Sequence, residues 1–302
     1  MKPKNAFLLF TAAFIWGIAF VAQSSAAEFI RPFTFNGIRC LIGGITLLPL
    51  VLFIQSKKHQ TLPSGESCDK NRLFTPAELK TGLLGGFCCG ICLCLGSTLQ
   101  QFGIEQTTVG KAGFITALYI VFVPIVSAVF LRKKIALPVI LSVVLGLVGL
   151  FLLCMTEQLS ISKGDFYVLL CSFAFTAHIL VIDYFSAKAD GVMLSCVQFL
   201  TCGIISTPFI FFTEKPQMSQ IFAAGIPILY AGVLSCGVAY TLQIVGQKNM
   251  NPTIASLILS LESVVSVLAG WILLQQTLSG REIAGCIVMF LAIIIAQLPS
   301  RS

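Results

Sequence analysis

Residues 98–103 read TLQQFG and residues 241–246 read TLQIVG, one pattern repeated 143 positions later. The same offset pairs Ala112 with Ala255, Ile115 with Ile258 and Leu118 with Leu261. It also pairs the ends of apolar runs, 131 with 274 and 155 with 298. Nearer the start of each half the offset is 159, because the first half carries the longer polar stretch. There Phe14 aligns with Phe173, Leu41 with Leu200, Gly44 with Gly203 and Pro49 with Pro208. The chain therefore reads as two copies of one unit, 1–155 and 156–302.

Each unit is made of apolar runs about twenty residues long, the length a helix needs to cross about 30 Å of hydrocarbon. Of the 302 residues, 57% are hydrophobic and only 10% charged, and mean hydropathy is +0.95. A soluble domain of this length needs far more charge to cover its surface. Continuous apolar runs also exclude a β-barrel, whose strands alternate. Turn and charge signals divide the sequence into ten predicted spans: 6–27, 33–54, 80–103, 111–131, 136–155, 164–187, 192–213, 223–246, 253–274 and 282–298. The expected fold is an all-α membrane protein of ten transmembrane helices, arranged as two inverted five-helix repeats. Five is odd, so the second copy must enter the membrane from the opposite side. Halves related by an axis in the membrane plane can exchange conformations, one open inward and the other outward.

The net charge of +7 does not indicate a nucleic-acid partner. Lys and Arg sit in short loops, where they set topology. With the N-terminus in the cytoplasm, thirteen of the 19 fall inside and five outside, and Arg39 lies within a span. Both termini are thus expected to be cytoplasmic, in a cell inner (plasma) membrane, with the polar loop 55–79 and its Cys68 also inside. Lys2 and Lys4, the first apolar run and Ser25-Ala26-Ala27 resemble a signal peptide. The run is long for one, and it has a counterpart in mid-chain. The twelve cysteines do not form paired CxxC spacings with a nearby His, so no metal or other cofactor is expected. Cys88, Cys89, Cys92 and Cys94 crowd one apolar run and read as small packing residues. Gly82, Gly86 and Gly90 recur every four residues, a face for close helix approach. Neither a phosphate loop nor a Ser/His/Asp arrangement occurs, so an enzyme is not expected.

Several local motifs recur in order. Trp16-Gly17 stands in the first span, Asn36-Gly37-Ile38-Arg39 in the second, Phe114-Ile115-Thr116-Ala117-Leu118-Tyr119 at the start of the fourth, and Ser260-Leu261-Glu262 in the ninth. Together with ten spans and short loops they resemble the EamA-type members of the drug/metabolite transporter superfamily. Ser263 stands where that family's SLEP motif has proline, and Arg132-Lys133-Lys134 and Gln275-Gln276 stand where it often has Gly-Glu. The resemblance implies a central cavity lined mainly by spans 1, 3, 4, 6, 8 and 9, with spans 5 and 10 peripheral. It also implies transport of amino acids or other small metabolites, frequently export.

Polar groups within spans mark the candidate site, since a charge at mid-bilayer costs about 3 kcal/mol on insertion scales. Arg39, His178, Asp183 and Glu262 qualify. Asp183 lies about one turn from the inner face and reads as interfacial. Glu262 is either a substrate ligand and proton site or a hydrogen-bonded packing group. His178 is a pH-sensitive group or a neutral interhelical bond. Arg39 holds a substrate carboxylate, snorkels, or is paired. Repeat-equivalent positions add Tyr119 (with Glu262), Gln100 (with Gln243), Trp16 (with Phe175) and Gln198 (with Arg39). The Gln100 and Gln243 amides suit a polar or zwitterionic solute, or bond between helices. The expected substrate-binding set is Gln100, Gln243, Tyr119, Glu262, His178, Trp16 and Arg39. The expected partners are a small-molecule substrate, the lipid bilayer, and a proton or counter-substrate to drive uphill movement. The competing readings are a membrane enzyme on lipid-linked substrates, which wants an interfacial acidic or His cluster, and a non-transporting scaffold or receptor, which needs no inverted repeat.

Overall fold

A computed structural model describes residues 3–60, 75–107, 109–130, 132, 136–154, 162–273 and 279–296. Most of the expected cytoplasmic loop, including Cys68, lies outside these residues, as do Lys133, Lys134, Gln275 and Gln276. Among the described residues the chain is helical, without β-strands. Eight helices among these residues are long and apolar enough to cross a membrane. In chain order α1 is Pro3–Ala27, α2 Pro32–Gln60 and α3 Pro76–Ile104, while α4 is split into Val109–Ala117 and Tyr119–Val129. After α5 (Leu137–Cys154) come α6 (Lys163–Ser186) and α7, Gly191–Phe209 running into a π-helical turn, Ile210–Glu214. Helix α8 (Gly225–Gln247) is π-helical over Tyr230–Tyr240, α9 is split into Pro252–Leu259 and Leu261–Leu273, and α10 is Gly280–Ala296. The apolar stretches of α5 and α10, Leu137–Leu152 and Ile283–Ile295, are shorter than the other eight.

Local chemistry accounts for the helix starts. Helices α1, α2, α3 and the first piece of α9 begin on a proline, whose fixed φ and missing N–H suit the first turn. Thr75 and Glu78 cap α3 reciprocally, as Ser162 and Asp165 cap α6. The Asp190 carboxylate accepts from the amides of Val192 and Met193 at the start of α7. The cap on α2 comes from far away in sequence. Glu214, ending α7, accepts from the amides of Phe33 and Thr34 at 2.9 and 2.6 Å.

Close helix approach follows the small residues. A Cβ at Gly82, Gly86 or Gly90 would collide with Met193, Val197 or Thr201, so the expected four-residue glycine face of α3 is the one that receives α7. Helix α2 packs on α7, α3 on α6, α1 on α8 and α9, and α5 on α10. The outer surface stays apolar, with Phe212 and Ile226 more than four-fifths exposed. Contiguous exposure on that scale fits lipid rather than water.

Candidate functional site

Helices α1, α2, α3, α4, α6, α8 and α9 converge on one narrow cavity with about 480 Å³ of atom-free space. Only about 40 Å³ of it is open to the centre of a water-sized molecule, so the cavity is tight as it stands. All seven residues expected from the sequence line it: Trp16, Arg39, Gln100, Tyr119, His178, Gln243 and Glu262. The half-buried Asp183 does not line it.

The floor is set by the two broken helices. α4 breaks at Leu118 and α9 at Ser260, immediately before Tyr119 and just before Glu262. Side-chain hydroxyls satisfy part of the freed backbone, as Ser260 donates to the Leu257 carbonyl at 2.8 Å and Ser263 to that of Gly113 at 3.0 Å. The breaks bring the Tyr119 hydroxyl within 2.9 Å of Glu262 Oε1, to which it donates. Glu262 is only 6% exposed, and this is its one side-chain hydrogen bond among the described residues.

Arg39 is 3% exposed, so it does not snorkel. Its Nε donates to Asn36 Oδ1 at 3.1 Å, and its guanidinium lies 5.0 Å from the Phe35 ring centroid. Asn36 is itself held by Ser97, which donates to Oδ1 at 2.9 Å, and by Thr98, which accepts from Nδ2 at 3.0 Å. Among the described residues no carboxylate lies within ion-pairing distance of Arg39. The cavity thus holds an arginine and a carboxyl group that are not paired with each other. Tyr240 stands within electrostatic range of both.

Aromatic rings line the same cavity. The Trp16 and Tyr240 ring centroids are 4.5 Å apart, and His178 meets Tyr240 edge-on at 5.8 Å. His178 Nε2 bonds to Gln198 Oε1 at 3.0 Å, which fixes the ring from α7, behind the cavity. Gln100 Nε2 donates to Thr116 Oγ1 at 3.2 Å. Among the described residues, three buried polar atoms of the lining residues have no partner: Trp16 Nε1, Gln23 Oε1 and Gln243 Oε1. An unmet buried donor or acceptor costs about 1–3 kcal/mol.

Sequence reasoning missed Gln23, Thr116, Ser235 and Tyr240, and it left Asn36 without a role. Tyr240 directly precedes the second TLQ segment, and Thr116 lies within the quoted fourth-span motif, so both stood beside the decisive signals. Among the described residues no group of three or more His, Cys, Asp and Glu is arranged to hold a metal.

Comparison with known proteins agrees with this architecture. The pattern of the EamA-like transporter family matches residues 4–155 and again 162–297. An uncharacterized transporter of Archaeoglobus fulgidus is 29% identical over 95% of this chain and 83% of its own. The uncharacterized transporter YoaV of Bacillus subtilis is 22% identical over 93% and 92%. Protein PecM of Dickeya dadantii is 23% identical over 98% and 93%. A solved crystal structure, 14% identical, superposes with a TM-score of 0.78 over 100% of this chain and 99% of the other, which establishes the likeness of fold. The apolar helices and these relatives define a multi-pass membrane transporter. The chain belongs to the EamA-like transporter family.

Proposed function

We propose that the protein is a secondary transporter, an exporter or exchanger, of small zwitterionic metabolites such as amino acids, working by alternating access around the central cavity. The observation that carries this reading is that Arg39 and Glu262 share one cavity without pairing with each other. A zwitterion supplies both missing partners: its carboxylate meets Arg39 in a charge-assisted bond, and its ammonium meets Glu262 and the Trp16–Tyr240 aromatic wall. The unpartnered Trp16 Nε1 and Gln243 Oε1 add one donor and one acceptor for the rest of the solute.

The ten helices act as two inverted repeats, and reciprocal contacts support this. Gly44 faces Leu200 while its equivalent Gly203 faces Leu41, the equivalent of Leu200. Such mutual exchange of partners is what a two-fold axis requires. Tyr119 and Glu262, equivalent to each other, are directly bonded, as two residues beside that axis would be. Matching contacts also stand at equivalent positions in the two halves. Gly103 packs against Gly164 and Val168; the equivalent Gly246 packs against Asn5 and Leu9. In this reading, opening one end of the cavity or the other gives the two access states.

In this reading the protein sits in the inner (plasma) membrane with both termini cytoplasmic, and it takes no cofactor and no nucleic acid. A proton on Glu262 or His178, or a counter-substrate, drives uphill movement.

Counterflow into liposomes tests the substrate class. Amino acids should exchange, whereas the corresponding amines and the corresponding deaminated acids should exchange poorly. Equal exchange of all three groups, or of none, would refute the reading.

A further inference from the structure

Beside the cavity, behind Arg39, four thiols from four helices meet: Cys40 of α2, Cys94 of α3, Cys202 of α7 and Cys236 of α8. All are buried. The closest pair is Cys40 and Cys202, whose sulfur atoms lie 3.4 Å apart across the α2–α7 contact. Neither residue is more than 1% exposed. Asn36 organises both, since its Nδ2 donates to Cys202 Sγ at 3.5 Å and its Oδ1 accepts from Cys40 Sγ at 3.7 Å. The Arg39 side chain, bonded to that same Asn36, sets a positive charge within range of both sulfurs. Two sulfurs this close, on separate helices, can both bond to one atom placed between them.

We infer that Cys40 and Cys202 form a dithiol site that takes a single soft, thiophilic centre, such as a trivalent arsenical, and that its occupation staples α2 of the first half to α7 of the second. For an organoarsenic(III) oxide the balance is simple. Two S–H bonds and the arsenic–oxygen bond break, two As–S bonds form, and both protons leave with the oxygen as one water. No oxidant or reductant is consumed. Two-point attachment converts the second bond into an intramolecular event, which raises retention by about 10²-fold or more over one thiol alone.

Phenylarsine oxide is the probe. The purified full-length protein carries Cys88→Ala and Cys92→Ala, which remove a helical i,i+4 thiol pair that could compete. After native treatment and desalting, intact mass counts retained arsenical, and maleimide blocking after unfolding identifies the protected thiols. One retained arsenical is expected, with Cys40 and Cys202 protected. Retention should fall about 10²-fold in Cys40→Ser and in Cys202→Ser, and persist in Cys236→Ser. A monodisperse elution profile checks that each variant is folded, and Cys40→Ala and Cys202→Ala repeat the test with an apolar replacement. Retention unchanged in both single variants, or protection of other thiols, would overturn the site. The adduct count does not depend on transport. A staple that forms while exchange continues would sink the mechanical role and leave the site standing.

Discussion

At the scale of single residues, the account rests on Glu262, Tyr119 and Arg39. Tyr119→Phe removes one interhelical hydrogen bond, worth about 0.6 kcal/mol on average in a membrane protein. It should lower thermal stability slightly and leave exchange largely intact. Glu262→Gln keeps the shape and a hydrogen-bond acceptor but cannot be ionised. Its exchange of ammonium-bearing solutes should fall at least tenfold while its melting temperature stays close to that of the wild type. The pH profile gives a sharper sign. If ionised Glu262 holds the ammonium, wild-type affinity falls as pH drops through the range where the carboxylate takes up its proton. That limb should vanish in Glu262→Gln, and its persistence there would assign the acid to helix packing. Arg39→Gln should cost carboxylate-bearing solutes most, measured as KM in counterflow. These residues were legible because a charge inside a span is conspicuous and the repeat doubled each signal. Gln23, Ser235 and Tyr240 were not, since neutral polar groups are tolerated in spans, and only the fold shows which face of the helix they occupy.

At the scale of elements, eight of the spans were legible to within a few residues, but their irregularities were not. Nothing in the apolar periodicity announces the breaks at Leu118 and Ser260 or the π-helix at Tyr230–Tyr240. The π-helix has an account in the repeat. Gly90 packs on Thr201 and the Gln198 carbonyl, and Gly232 packs on Ile42 and the Arg39 carbonyl, its equivalents. Those glycines are 142 apart, whereas the TLQ segments are 143 apart. One extra residue between Gly232 and Thr241 is what a π-helical segment absorbs, and such segments gather at functional sites. Ser235 and Tyr240, both within it, line the cavity. Close approach also makes a prediction. A Cβ at Gly103 would stand 2.9 Å from the Gly164 carbonyl oxygen besides striking the Val168 side chain, whereas a Cβ at Gly225 meets nothing within 4 Å. Gly103→Leu should therefore lower the melting temperature, by overpacking of about 1–3 kcal/mol. Gly225→Ala should leave it within a degree or so, because the added methyl meets nothing, and changes of that kind fall within about 0.5 kcal/mol. A destabilised Gly225→Ala beside a neutral Gly103→Leu, read by fluorescence-detected thermal unfolding, would contradict the packing scheme.

At the scale of the whole molecule, the repeat argues for a machine that exchanges two mirror-like arrangements. The Lys/Arg asymmetry of the sequence gives the orientation proposed for it, and Cys68 tests that orientation. As the sole remaining cysteine, Cys68 should react with an impermeant maleimide only after the membrane is opened; strong labelling of intact cells would reverse the orientation. The central claim is that the cavity opens at one end and then at the other. The Asn5 side chain bonds to the Lys248 carbonyl at one end, and Thr107 bonds to Asp165 at the other. In a background without native cysteines, Ser235→Cys serves as a cavity reporter, and cysteine pairs at 5/248 or at 107/165, bridged by oxidation before the reporter is unmasked, each shut one end. The deciding measurement is maleimide labelling of the reporter from each side of oriented liposomes. The account predicts labelling from the Thr107 side only when 5/248 is bridged, and from the Asn5 side only when 107/165 is bridged. Labelling from the same side under both bridges would contradict it.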